Sequence, residues 1–225
     1  MHTAMNVELA RFNMIEQQIR PWEVLDQSVL SLLSTIRRED FVPAAHRAMS
    51  FVDTQVPLLD AEPHGPCMLE PKVEARLLQE LQLQRHERVL EIGTGSGYMA
   101  ALLAHRAMHV DTIESRPELA RLARQNLKRS GLSNVDVIEG DGALGLPAEA
   151  PFDAILLSGS VAEVPKALLA QLKVGGRLAA VVGEAPVMRA RLITRVGPEA
   201  WSDIDLFDTV APRLSGFEEP SRFQF

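Results

Sequence analysis

The stretch Arg88-Val-Leu-Glu-Ile-Gly-Thr-Gly-Ser-Gly-Tyr98 constrains the fold of this chain more than any other. An apolar run enters a glycine turn, and Met99-Ala-Ala-Leu-Leu-Ala104 follows with helix-forming residues, so the pattern reads strand, turn, helix. That is the opening unit of a nucleotide-binding α/β sheet. Gly93, Gly95 and Gly97 remove Cβ atoms where the backbone must turn sharply and a ligand can lie on the main chain. Thr94 sits inside this cradle. Glu91 lies in the strand before it, where a carboxylate is costly unless hydrogen-bonded, so it is expected to serve the ligand site directly or through its loop.

Spacing narrows the ligand. A dinucleotide fingerprint counted from Gly93 requires a third glycine at position 98, which is Tyr98, and no Lys-Ser/Thr pair follows as in a phosphate-binding loop. An acid, Glu114, closes the next predicted strand, and a carboxylate there can accept both ribose hydroxyls in a doubly wound sheet. Val135-Asp-Val-Ile-Glu-Gly-Asp-Gly142 brings Asp141 and Gly142 to a third strand end, where an acid suits the amino group of adenine. Three such strand ends describe a site for an adenosine without a pyrophosphate. Strands over 88–92, 109–114, 135–139, 153–157 and 177–182 alternate with helices over 98–106, 117–130 and 164–172, which predicts parallel pairing. Segments 188–196 and 204–210 read as antiparallel strands closing one edge.

Taken together, Glu91 to Tyr98, Glu114 and Gly140-Asp-Gly142 resemble a class I S-adenosylmethionine-dependent methyltransferase. More closely, the chain resembles the protein-L-isoaspartate (D-aspartate) O-methyltransferase family. Met14-Ile-Glu-Gln-Gln-Ile19 is similar to that family's first helix, Arg38-Glu-Asp-Phe-Val-Pro43 to its next segment and Leu172-Lys-Val-Gly-Gly-Arg-Leu178 to the turn before its fifth strand. Phe152-Asp-Ala-Ile-Leu-Leu157 ends in Ser158-Gly-Ser160, which resembles the small-residue turn beneath the family's active site. The resemblance implies an α/β fold: a doubly wound, mostly parallel, seven-stranded Rossmann-like sheet with an N-terminal helical cap. It also implies S-adenosyl-L-methionine as cofactor and methylation of the side-chain carboxyl of isoaspartyl residues in damaged proteins, as a step in their repair.

The substrate-side loop departs from the family. Aligned on Gly65 and Pro71, the loop falls where the family has Gly-Gln-Thr-Ile-Ser-Gln-Pro, so Cys67 replaces threonine, Met68 isoleucine and Leu69 the serine near the accepting carboxyl. Leucine neither donates nor accepts a hydrogen bond. The catalytic residue is therefore left open, and an isoaspartyl peptide or protein, another acceptor such as a small molecule, and cofactor binding without turnover all stand as readings. A carboxylate acceptor is already ionised and needs no base; another acceptor would make His64 or Glu70 candidates. Cys67 lacks a visible partner to lower its pKa and reads as an inert thiol, and the histidines lack metal-ligand spacing.

The 225 residues, 46% of them hydrophobic, suit one domain spanning 1–225, with cap and substrate-side loop over 1–75 and cofactor-binding sheet over 76–225. The cap is expected to be two helices between Asn6 and Ser34, broken at Pro21, then a short helix over 44–49 and a small strand over 51–56. A formal net charge of -7 argues against a nucleic-acid partner. The single cysteine suits a reducing compartment, and the absence of a signal-like or spanning run gives a cytoplasmic expectation with no membrane partner.

Overall fold

The computed structural model describes residues 6–59 and 65–218. Among them, seven strands form one sheet in the order β5-β4-β3-β6-β7-β8-β9. These are β3 (Arg88–Ile92), β4 (His109–Glu114), β5 (Val135–Glu139), β6 (Phe152–Val161), β7 (Leu172–Glu184), β8 (Val187–Gly197) and β9 (Ala200–Asp208). β3 to β7 pair in parallel, and β8 and β9 close one edge antiparallel, as the spacing predicts. A separate short pair, β1 (Val56–Pro57) with β2 (Cys67–Met68), stands on the substrate side.

Alternation along the strands sorts the core into two layers. Val89, Ala154 and Leu156 face a cluster that contains the N-terminal cap, α3 (Pro71–Leu81), α4 (Tyr98–Ala104) and α5 (Pro117–Arg129). Leu90, Ile92, Ile155 and Leu157 face the opposite cluster, shared with Leu168 of α6 (Lys166–Ala170) and Phe217. A side chain of this kind, moved wholly out of water, contributes roughly 1.5–3 kcal/mol. The chain runs from β3 to β4 and β5 on one side, then returns to the other side of β3 at β6. The carboxyl end of β3 is thus the topological switch point, where open α/β sheets bind ligands.

Local chemistry explains where elements start and stop. Pro117 opens α5, Lys128 and Arg129 occupy its last turn, and Gly131 follows at φ +70°. The cap departs from two simple helices. α1 (Val7–Met14) widens into a π-helical turn over Ile15–Ile19 and a 3₁₀ turn over Arg20–Trp22, because Pro21 offers no N–H to continue the ladder. α2 (Gln27–Thr35) starts afresh where the Asp26 carboxylate accepts the Ser28 N–H at 2.8 Å. Residues 44–49 form a 3₁₀ turn, and the small strand foreseen over 51–56 reduces to Val56–Pro57, since only that stretch finds a partner. α6 is shorter than the helix over 164–172. β6 and β7 are longer than their apolar runs: a register shift between Phe152 and Ala154 carries β7 back to Leu172, so Leu172 to Leu178 is strand where a turn is expected, and a second shift between Leu156 and Ser160 lets β6 continue through Ser158-Gly-Ser160. That triplet is therefore a bulged strand and not a turn.

Candidate active site

The β3–α4 turn grows directly out of the sheet. The Gly93 N–H donates to the Ile113 carbonyl at 2.9 Å, extending the β3–β4 ladder by one residue before the chain swings away. Gly93 and Gly95 then take φ values of +94° and +54°, a region unfavourable to residues with a Cβ. The swing points the Gly95 N–H at the end of β4, where Glu114 Oε2 accepts it at 2.8 Å. Glu114 Oε1 accepts the Arg116 N–H at 3.0 Å. One buried carboxylate thus ties two turns together across neighbouring strand tips.

These turns border a cavity of about 370 Å³ whose walls include Gly93, Gly95, Glu114, Gly142 and Ser158. The opposite wall comes from Leu58, Cys67 and the segment Pro212 to Ser215. That segment is held edge-on to β6: Ser160 donates its N–H to the Pro212 carbonyl at 2.7 Å and accepts the Leu214 N–H at 2.9 Å. A smaller cavity of about 30 Å³ lies alongside, bordered by Met68, Leu69, Glu74, Glu91, Thr94 and Ser158.

Beneath the turn runs a buried polar chain. Thr94 Oγ1 and Thr112 Oγ1 lie 2.7 Å apart, Thr112 Oγ1 donates to Glu91 Oε2 at 2.7 Å, and Ser158 Oγ donates to Glu91 Oε1 at 2.7 Å. Glu91 is fully buried, and that burial pushes its carboxyl up to about 7 despite the two hydroxyls. Unfolded, the group returns to its ordinary 4.5, so the folded chain binds this proton more tightly. The stabilisation is complete below 4.5 and is lost as pH rises through about 7. Glu74, also buried and raised to about 7, acts with the same sign. Glu91→Gln should therefore reduce the drop in melting temperature between about pH 6 and about pH 8, without removing the share due to Glu74. Thermal unfolding at the two pH values checks this.

The remaining sequence candidates fall differently. Gly97, at φ +83°, borders neither cavity: a Cβ there would meet Ala123 and Leu127 of α5 at 3.3 Å, so its bareness lets α5 pack against the turn. The Asp141 carboxylate accepts the Ala143 N–H at 2.9 Å and lies against Gly216, bracing its own loop, while Gly142 is the member of that pair that reaches the cavity wall. Met68 and Leu69 are both buried, with Leu69 presenting its carbonyl to Arg38 Nη2 at 2.7 Å. Cys67 has its thiol pushed up to about 12 by burial, so it stays protonated. Glu70 receives Gln55 Nε2 at 3.3 Å, and His64 lies outside the described residues.

Sequence reasoning passed over Thr112, Arg38, Glu74 and the 212–215 wall. Thr112 has a signal in retrospect, since it shares a strand face with Glu114 two residues on. The 212–215 segment has only Pro212 and Ser215, with Gly216 after it, which mark a loop and say nothing of its place beside β6. His109, Asp111 and Asp136 gather at the opposite end of the sheet, where Arg88 Nη2 already holds Asp111 at 3.2 Å. No helix among the described residues is long and apolar enough to cross a membrane.

Known proteins resemble the chain over most of its length. The model of a family described as protein-L-isoaspartate(D-aspartate) O-methyltransferase matches residues 10–201. A protein-L-isoaspartate O-methyltransferase of Koribacter versatilis is 42% identical over 187 residues, covering 83% of this chain and 82% of its own length. One from Myxococcus xanthus is 46% identical over 160 residues, covering 71% and 74%. A solved protein-L-isoaspartate O-methyltransferase superposes with a TM-score of 0.78 at 25% identity, over 93% of this chain and 66% of the solved one. A putative Plasmodium falciparum member, solved with S-adenosyl-L-homocysteine, shares the fold at a TM-score of 0.77 and 21% identity, over 94% and 99%.

Proposed function

This chain belongs to the protein-L-isoaspartate(D-aspartate) O-methyltransferase family, and from that premise we propose how its own residues serve the family's reaction. The protein is an S-adenosylmethionine-dependent enzyme that methylates the carboxyl of L-isoaspartyl residues in proteins and peptides. The observation that carries the site assignment is the Glu114 carboxylate bound to the Gly95 N–H at the switch point.

The residues present fit an adenosine-bearing donor. Gly93 and Gly95 expose main chain to a cavity of suitable size. The Glu114 carboxylate spends two acceptor positions on N–H groups and retains two for a pair of ribose hydroxyls. Gly142 and Ser158 complete the wall on that side, with Asp141 bracing the Gly142 loop. Glu91 and Thr94 act from beneath, holding Ser158 and Thr112, and Gly97 acts by seating α5. Met68 and Leu69 close the smaller cavity.

Bound there, S-adenosylmethionine supplies an electrophilic methyl carbon. An isoaspartyl carboxylate is ionised at neutral pH and attacks without a base, so the chain's task is orientation and exclusion of water, which can carry much of a barrier. The protonated Cys67 thiol in the wall suits this, as it offers no competing nucleophile. The net charge of -7 supports an acceptor that is not a polyanion such as nucleic acid or an anionic membrane surface, and the lone cysteine supports a cytoplasmic setting. The apolar cluster shared by cap and sheet supports reading residues 1–225 as one working unit.

The test is transfer of labelled methyl to an isoaspartyl peptide, with the matching aspartyl peptide as control. Base-labile label on the first alone is expected. No transfer, with S-adenosylhomocysteine bound normally by calorimetry, would reject the acceptor.

Leu69 allows a finer check. Its side chain is 4% exposed, so Leu69→Ser should cost about 2–4 kcal/mol of stability through the cavity it leaves. A hydroxyl there should raise turnover on an isoaspartyl peptide by about 2- to 10-fold, the worth of one added hydrogen bond. Steady-state kinetics well below the melting temperature checks the gain.

A further inference from the structure

We infer that Arg38 is a positioning residue for methyl transfer: its buried guanidinium sets the carbonyl of Leu69 and so fixes the Cys67–Leu69 wall against both cavities. This rests on the function proposed above. Arg38 is 1% exposed, and its three nitrogens reach three different parts of the chain. Nη2 donates to the Leu69 carbonyl at 2.7 Å, Nη1 to the Ser50 carbonyl at 3.3 Å and Nε to Glu74 Oε2 at 3.3 Å. The guanidinium carbon also stands 5.7 Å from the centre of the Tyr98 ring, in the first turn of the helix that follows the glycine loop.

The three anchors are those the substrate side needs. β1 and β2 pair over only two residues each, Val56 with Met68 and Pro57 with Cys67. An isolated pair that short does not hold itself. Ser50 lies in the segment leading to β1, Leu69 directly follows β2, and Glu74 sits in the first turn of α3, so Arg38, alongside the Gln55–Val210 and Lys72–Asp53 contacts, ties the flanks of the pair to a rigid helix. Cys67 borders the larger cavity and Leu69 the smaller one, so a shift of the Leu69 peptide moves the wall of both.

Stability alone is a poor account of such a group. Removing a guanidinium and its carboxylate from water is expensive, and an apolar pair of similar volume often packs as well or better. What an apolar pair cannot do is bind two carbonyls in fixed directions. Arginine's planar fork does so, and lysine's single ammonium cannot reach all three partners.

The experiment compares the parent chain with Arg38→Lys and with the double variant Arg38→Met/Glu74→Gln. Burial has pushed the Glu74 carboxyl up to about 7, so glutamine resembles its neutral form, and the pair of changes leaves no uncompensated buried charge. Two readouts are taken well below the melting temperature: kcat and KM for an isoaspartyl peptide, and the alkylation rate of Cys67, the chain's single cysteine. In the double variant kcat should fall on the order of tenfold, with affinity for S-adenosylhomocysteine within about threefold of the parent. Cys67 alkylation should rise on the order of tenfold, because a loosened wall opens the thiol. Arg38→Lys should fall between parent and double variant in both readouts, and it carries the test should the double variant not fold. Parent-like Cys67 protection in the variant that folds overturns the inference whatever the acceptor is. So does kcat within about twofold of the parent. A parent inactive on the peptide but bound to S-adenosylhomocysteine would overturn the acceptor assignment, leaving the thiol readout to decide on Arg38.

Discussion

Gly95→Val should abolish measurable binding of S-adenosylhomocysteine, with a loss on the order of 100-fold or more in affinity, while the chain stays folded. The backbone at Gly95 has φ +54°, where a side chain strains the turn by about 1–2 kcal/mol and a β-branched one is least tolerated. A Cβ built there already approaches Leu58 Cδ1 at 3.0 Å, and the two methyls of valine would stand in the larger cavity. Relaxing that crowding moves the Gly95 N–H off Glu114, removing the link between strand tips as well as the space. Calorimetry gives the affinity and near-ultraviolet circular dichroism confirms the fold. Parent-like affinity in a folded variant would mean that the donor lies elsewhere than on this turn.

Glu114→Ala attacks the same link from the other strand. The carboxylate is 5% exposed and holds two N–H groups, Gly95 at 2.8 Å and Arg116 at 3.0 Å. Hydrogen bonds to a charged group are worth about 1.5–3 kcal/mol each, so losing the turn's anchor together with the positions available to ribose should weaken donor affinity by about 100- to 1000-fold. Glu114→Gln keeps the volume but turns one N–H donor toward another, so it should fall between parent and alanine. Affinity for adenosine, measured beside that for S-adenosylhomocysteine, separates the two losses. Adenosine should weaken as steeply, because the hydroxyls it shares with the donor are what Glu114 is placed to accept. If adenosine binding survived intact, Glu114 would serve the turn alone.

The parts legible in the sequence are those governed by short-range rules. Alternating apolar residues, the glycines after Ile92 and the proline opening α5 act within a few residues, so strands β3 to β9 and the cradle emerge from composition and spacing. The place of Glu114 at the tip of β4 is legible because a strand end is fixed by its own apolar run. The rest depends on partners far along the chain. Nothing near Arg38 announces that Leu69 and Glu74 await it 31 and 36 positions on. The strand end alone points Asp141 at the ligand, and no local pattern shows its carboxylate closing on Ala143 and meeting Gly216. Gly97 shows the same limit in reverse, since a glycine in a ligand-binding pattern can owe its place to a helix packing behind it. The bulge carrying Ser158 needed the long β7 beside it to be seen.

The union of Ser160 with Pro212 and Leu214 has a consequence for how the protein is made. A ribosome that has delivered the glycines of the cradle and Glu114 has still to synthesise some fifty further residues, from Ser160 to Leu214, before the far side of the crevice, begun by Leu58 and Cys67, is complete. Until then β3 and β6 also lack Leu168, Leu178 and Phe217 on one face, so the cradle's packing and the closure of its crevice are both completed by the last stretch of chain to be made.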